Sequence, residues 1–179
     1  MRVLRLSMQV ALFIMFFLFI ACTATKFSDT WKDVTYQGPP KKILVINMFK
    51  DPSIRRLFED EIVKTLKDHN VDAVVKYTVV PTDTVVSDMD FIATQAKEVG
   101  ADTVLITRPA GTRAVGTGDL SVYINTRTDV YDVKTNKLIS FATAETKIRE
   151  GSTDLQHYLN VVPSFAKDLV HQLSKAGLF

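Results

Sequence analysis

The run Ile43-Leu44-Val45-Ile46 contains no polar position, so a strand built from it must be covered on both faces. Such a strand needs layers above and below it, and the residues that follow supply one. Asp51-Pro52 is a good N-cap followed by proline in the first turn. Ile54, Leu57, Phe58, Ile62 and Leu66 then recur at helical spacing to about Asp68. The unit repeats. Ala73 to Val80 is strand-like, Ser87 with Asp90 three residues on is a helix start, and Phe91, Ile92, Ala96 and Val99 form a stripe closed by Gly100. Thr103-Val104-Leu105-Ile106-Thr107 supplies a third strand. Two successive strand–helix–strand units predict parallel pairing with right-handed crossovers.

The pattern then changes. Residues 121 to 133 and 138 to 148 are rich in Val, Ile, Thr and Tyr, and Lys134-Thr135-Asn136-Lys137 is a turn between them, which predicts a long antiparallel hairpin. Pro163 opens a helix with Phe165, Leu169, Val170 and Leu173 on one face, ended by Gly177. Leu155 to Val161 reads as a separate helical turn, because Pro163 would disturb a continuous helix. The expectation for residues 41–179 is a single α/β domain. Its mixed sheet has about five strands, ordered β-α-β-α-β and then an antiparallel β-hairpin, with a C-terminal helix.

Ahead of this domain lies a different kind of sequence. Arg2 and Arg5 precede an uninterrupted apolar run from Val10 to Ala21, which stops at Cys22, the only cysteine. A bilayer-crossing helix needs about 20 apolar residues; a basic start, a shorter apolar core and a small residue at its end describe an export signal over residues 1–21. The alternative is an uncleaved signal anchor with a buried free thiol. Residues 22–40 are rich in Thr, Ser, Gly and Pro and read as a tether, with Trp31 either at the lipid headgroups or docked on the domain. Docking is favoured by the extended look of Thr30-Trp31-Lys32-Asp33 and Tyr36.

Phe19-Ile20-Ala21-Cys22 resembles the lipobox of bacterial lipoproteins. The resemblance implies cleavage before Cys22, a diacylglycerol thioether on its sulfur and an acylated, palmitate-type terminus, with the membrane reached through this lipid anchor. Thr23, not Asp, after the cysteine implies sorting to the outer membrane, facing the periplasm. The order of elements behind such a cysteine resembles the Tol–Pal propeller protein N-terminal domain, the curli secretion-channel lipoprotein and the lipoprotein activators of penicillin-binding proteins. Thr30-Trp31-Lys32-Asp33, Lys42 to Ile46, Arg56 to Glu61 and Gly100-Ala101-Asp102 are similar to phrases in small uncharacterised proteobacterial lipoproteins. What these resemblances imply is a protein that binds or helps assemble another envelope component.

Charge and motif content narrow the chemistry. Without Arg2 and Arg5 the basic and acidic residues balance at 20 each, and the basic clusters are only pairs, Lys41-Lys42 and Arg55-Arg56, so no nucleic-acid partner is expected. His69, His157 and His171 lack ligand spacing, and no metal or cofactor is expected. No G-x-S-x-G occurs, and the link Asn47 to Pro52 lacks the glycines of a phosphate loop, so no catalytic residue is assigned and no enzyme activity is expected. The competing reading is a small-ligand carrier or enzyme with a pocket at the strand ends. Residues 108–119 carry three glycines with Arg108 and Arg113, and read as a mobile connection: either an ordinary solvated loop or, through the two arginines, part of a partner surface.

Overall fold

The computed structural model describes residues 25–78, 88–116, 121–149 and 155–179. The expected signal at 1–21 and Cys22 lie outside them, as does Ser87. The described chain forms six strands, β1 (Thr25–Lys32), β2 (Lys42–Asn47), β3 (Asp72–Val75), β4 (Thr103–Val115), β5 (Ser121–Asp132) and β6 (Leu138–Arg149). With them are three α-helices, α1 (Pro52–Asp68), α2 (Met89–Glu98) and α3 (Leu155–Lys175). They make one mixed sheet in the order β1-β6-β5-β4-β2-β3, parallel across β3, β2 and β4 and antiparallel elsewhere.

Local chemistry places the parallel half. The Asp51 carboxylate accepts hydrogen bonds from the Ser53 and Ile54 amides at 2.8 and 3.2 Å, which caps α1. Ile43 to Ile46 are at most 2% exposed, because α1 covers one face of β2 and α2 the other. The cap of α2 is Asp88, accepting from Asp90 and Phe91, so the cap lies one residue beyond the expected Ser87. The second stripe is also narrower than expected. Ile92 and Ala96 are buried but Phe91 is 40% exposed, since α2 packs only on the short stretch of β2 and β4 beneath it.

Two other expectations change. Thr25–Lys32, in the segment expected as tether, is a sheet strand, which raises the count from five to six. Thr25 is buried and the Phe27 ring meets Phe165 at 5.9 Å, and a bulge between Phe27 and Asp29 resets the alternation so that Trp31 shares the opposite face with Lys26. The C-terminal helix runs unbroken from Leu155 through Pro163. The amide that proline lacks would have bonded the carbonyl of Leu159. Leu159 is 43% exposed, so water can serve that carbonyl, while buried Val162, Phe165 and Ala166 hold the helix on the sheet.

The two faces of the sheet are unequal. On the core face α1 and α3 bury Phe58, Ile62, Leu66, Phe165, Leu169 and Leu173 against β2, β5 and β6, with Leu57 partly buried at the margin. On the other face α2 covers the β2–β4 side alone. Among the described residues no element covers the half made by β5, β6 and β1, which is an open face.

Candidate functional site

Of the connection expected over 108–119, residues 117–119 lie outside the described chain, and 108–115 are not the solvated loop that Pro109 and Gly111 suggest. They continue β4, paired with β5 as far as Val115↔Ser121. The pairing slips between Pro109 and Gly111, leaving Ala110 as an extra residue in a bulge. This is where a strand tolerates proline, and Gly111 adopts φ +137 there, a backbone conformation that a side chain would strain. The extra residue resets the alternation. Arg108 and Arg113, five residues apart, would otherwise point to opposite faces; with the bulge, both stand on the open face, opposite Arg127 and Tyr123 of β5. Among the described residues, β4 beyond Asn47↔Thr107 has β5 on one side only, so this stretch is also a strand edge.

A ladder of aromatic and charged side chains crosses the open face. Trp31 of β1, 42% exposed, stacks on Phe141 of β6 with ring centroids 5.8 Å apart. The Arg127 guanidinium lies 4.3 Å from the Phe141 centroid, and its Nε donates to Asp129 Oδ1 at 2.7 Å. Asp129 is fully buried, and its Oδ2 faces Arg108 as an ion pair without the alignment of a hydrogen bond. Toward the end of the sheet, Arg113 donates to both Glu145 oxygens, at 2.8 and 2.9 Å, and lies 4.5 Å from the Tyr123 centroid. Each arginine is thus held against a ring or a carboxylate while remaining a third to a half exposed. Held this way, the guanidinium planes and the Trp31 ring lose little conformational freedom when a partner covers them.

At the carboxyl end of β2 lies a second polar group, this one buried. The Asn47 amide donates to Glu59 Oε1 at 2.9 Å, Asn47 Oδ1 accepts from the Phe49 amide, and Arg55 donates to the Phe49 and Lys50 carbonyls. Burial pushes the Glu59 carboxyl up to about 7, against the Asn47 amide and the charges of Lys76 and Arg55, which favour its ionised form. Phe49, Phe58 and Tyr158 pack over this network with centroids 5.0 to 6.4 Å apart. Among the described residues, these side chains fill the carboxyl end of β2. A shallow cavity of about 420 Å³ does exist, but between β1 and α3, lined by Thr25, Lys26, Phe27, Asp168 and Gln172.

Of the residues singled out in the sequence, Cys22 lies outside the described chain, and Arg108 and Arg113 share one face. His69 ends α1, its Nδ1 2.9 Å from the Thr65 carbonyl; His157 and His171 lie apart from it on α3. Sequence reasoning missed Arg127, Asp129, Tyr123 and Phe141. The signal was the period of two in β5, where Tyr123, Asn125, Arg127 and Asp129 alternate with Ile124, Thr126, Thr128 and Val130.

No protein-family model matches the chain, and no curated protein matches it. Solved structures do. The chain is similar to PelC from Paraburkholderia phytofirmans, solved as a dodecamer, at 14% identity and a TM-score of 0.53, covering 83% of this chain and 96% of that one. It is also similar to lipoprotein GNA1162 from Neisseria meningitidis, at 12% identity and a TM-score of 0.50, covering 76% of this chain and 99% of that one. At these identities the likeness is one of fold: a single α/β domain on a mixed sheet with a C-terminal helix, an architecture that a bacterial lipoprotein also uses.

Proposed function

We propose that this chain is a lipid-anchored protein of the bacterial envelope, held through Cys22 in the outer membrane and facing the periplasm. Its α/β domain binds or helps assemble another envelope protein and performs no chemistry of its own. The observation that carries this reading is the open face, where Arg108, Arg113, Arg127, Trp31 and Tyr123 stand pre-positioned on rigid strands. Trp, Tyr and Arg are the residues that dominate binding energy at protein interfaces, and here they border an unpaired strand edge. Two observations on similar folds agree with it: GNA1162 is a lipoprotein, and PelC was solved as a dodecamer, so this architecture is compatible with an anchor and with assembly.

The test is site-specific photocrosslinking in intact cells. A photoreactive residue at Trp31 or Tyr123 is expected to give a discrete adduct with an envelope protein, and one at Lys64, on the outer surface of α1, is expected to give none. Equal or absent adducts from all three positions would overturn the reading.

A further inference from the structure

Arg108 and Arg127 stand directly opposite each other in the register of β4 and β5, and both belong to the open face. Like charges placed opposite across a strand pair repel. Asp129 offsets this in part: its Oδ1 accepts from Arg127 Nε at 2.7 Å, and its Oδ2 faces Arg108. Among the described residues it is the only carboxylate paired with either guanidinium. Two positive charges therefore share one negative charge, and one positive charge is left over.

The surplus is accessible. Asp129 is fully buried, whereas the Arg108 and Arg127 side chains are 42 and 34% exposed. With its Nε taken, Arg127 keeps both terminal nitrogens without a partner among the described residues, and Arg108 commits a single nitrogen. These are the donors that a guanidinium presents as a fork to a planar anion. The other acids of this face among the described residues do not reach them. Glu145 is held by Arg113, and Asp29 lies two strands from Arg127.

The size of the surplus and its neighbours define the ligand. One net charge is neutralised by a carboxylate, whereas a phosphate dianion would leave a negative charge beside the buried Asp129. Arg127 also lies 4.3 Å from the Phe141 centroid, and Phe141 stacks on Trp31 at 5.8 Å. The cationic pair thus continues into an aromatic surface that ends at Trp31, two strands or about 10 Å across the sheet from Arg127. A fork at one end and an indole ring at the other fit a protein segment with Asp or Glu about 10 Å from an apolar side chain.

We infer that Arg108 and Arg127 form a carboxylate-binding site, which seats an Asp or Glu side chain of the envelope protein partner while Trp31 covers an apolar residue of the same segment. The inference deepens the proposed function and rests on it. The seated carboxylate completes a cluster of two positive and two negative charges.

The test places a photoreactive residue at Thr143, opposite Arg127 in the register, in the full-length chain in intact cells. The adduct is sequenced by mass spectrometry. The captured stretch of the partner is synthesised in two forms, one with its Asp and Glu residues and one with Asn and Gln in their place. The acidic form is expected to bind the parent protein about tenfold more tightly than the amide form. Arg108→Gln and Arg127→Gln each leave one arginine on Asp129, and each should shrink that preference to about threefold or less. Trp31→Ala should weaken both forms alike. An amide form that binds the parent protein as tightly as the acidic one, or a preference unchanged in both arginine variants, overturns the carboxylate site and leaves the protein partner standing. An adduct with phospholipid or within this chain, or no adduct, overturns the site together with the reading it rests on.

Discussion

Arg108 and Arg113 project from the same face of the sheet although five residues separate them on one strand, because Ala110 is bulged out between Pro109 and Gly111. Deleting Ala110 would restore simple alternation and turn Arg113 away from Tyr123 and Glu145. Residues 109–115 are exposed, so the fold should tolerate the change. The expected outcome is loss of the crosslinked adduct with an unfolding midpoint close to that of the parent protein.

The buried Asp129 makes Arg108 more than a surface cation. Arg108→Ala alone should cost about 1 kcal/mol, since Arg127 still holds the carboxylate. Removing both arginines leaves a buried charge without a partner and should cost about 3–5 kcal/mol. Adding Asp129→Asn to the double variant should recover most of that loss. Urea titrations of the three variants check this, and a double variant as stable as the single would show that Asp129 is solvated.

A pH dependence follows from Glu59. Its carboxyl titrates near 7 in the fold against 4.5 in the unfolded chain, so the folded state holds the proton more tightly. The stability this contributes is full below about 4.5 and is lost as pH rises through about 7, a fall of about 3 kcal/mol. Glu59→Gln keeps an acceptor for the Asn47 amide and should flatten the profile between these values. Denaturant midpoints across that range read it directly; a profile unchanged in Glu59→Gln would assign the dependence to another group.

In the core, Phe58 and Phe165 meet edge to face with centroids 5.3 Å apart and are 5% and 1% exposed. Either one replaced by Ala should lower the unfolding free energy by about 3–5 kcal/mol. An unshifted midpoint would place these rings outside the core.

The parallel half of the fold was legible because its signals are local: a cap at Asp51, a stripe through Phe58 and Leu66, an apolar run at Ile43. The long hairpin of β5 and β6 announced itself in the same way, through β-branched residues around the turn at Lys134 to Lys137. β1 was not legible. Its polar residues Ser28, Asp29 and Thr30 are acceptable on an edge strand with one open side, and so look like a tether. Residues 108–115 misled for a related reason. Proline and glycine mark a loop on their own, yet a bulge accommodates Pro109 and Gly111 within a strand. The two arginines were therefore found from their type, while the period of two in β5 shows only that Tyr123 and Asp129 share a face; that they and Glu145 orient the arginines depends on register across the sheet.

The central claim is that the open face binds an envelope protein, and the most direct measurement is the affinity of the crosslinked partner, once purified, for the parent protein and for Trp31→Ala and Arg113→Ala. Neither side chain supports the core: Trp31 is 42% exposed and the Arg113 side chain 51%. Each substitution should raise Kd by about 30-fold or more, the scale of an interface hot spot, with the unfolding midpoint unchanged. A Kd equal to that of the parent protein in both variants would contradict the account.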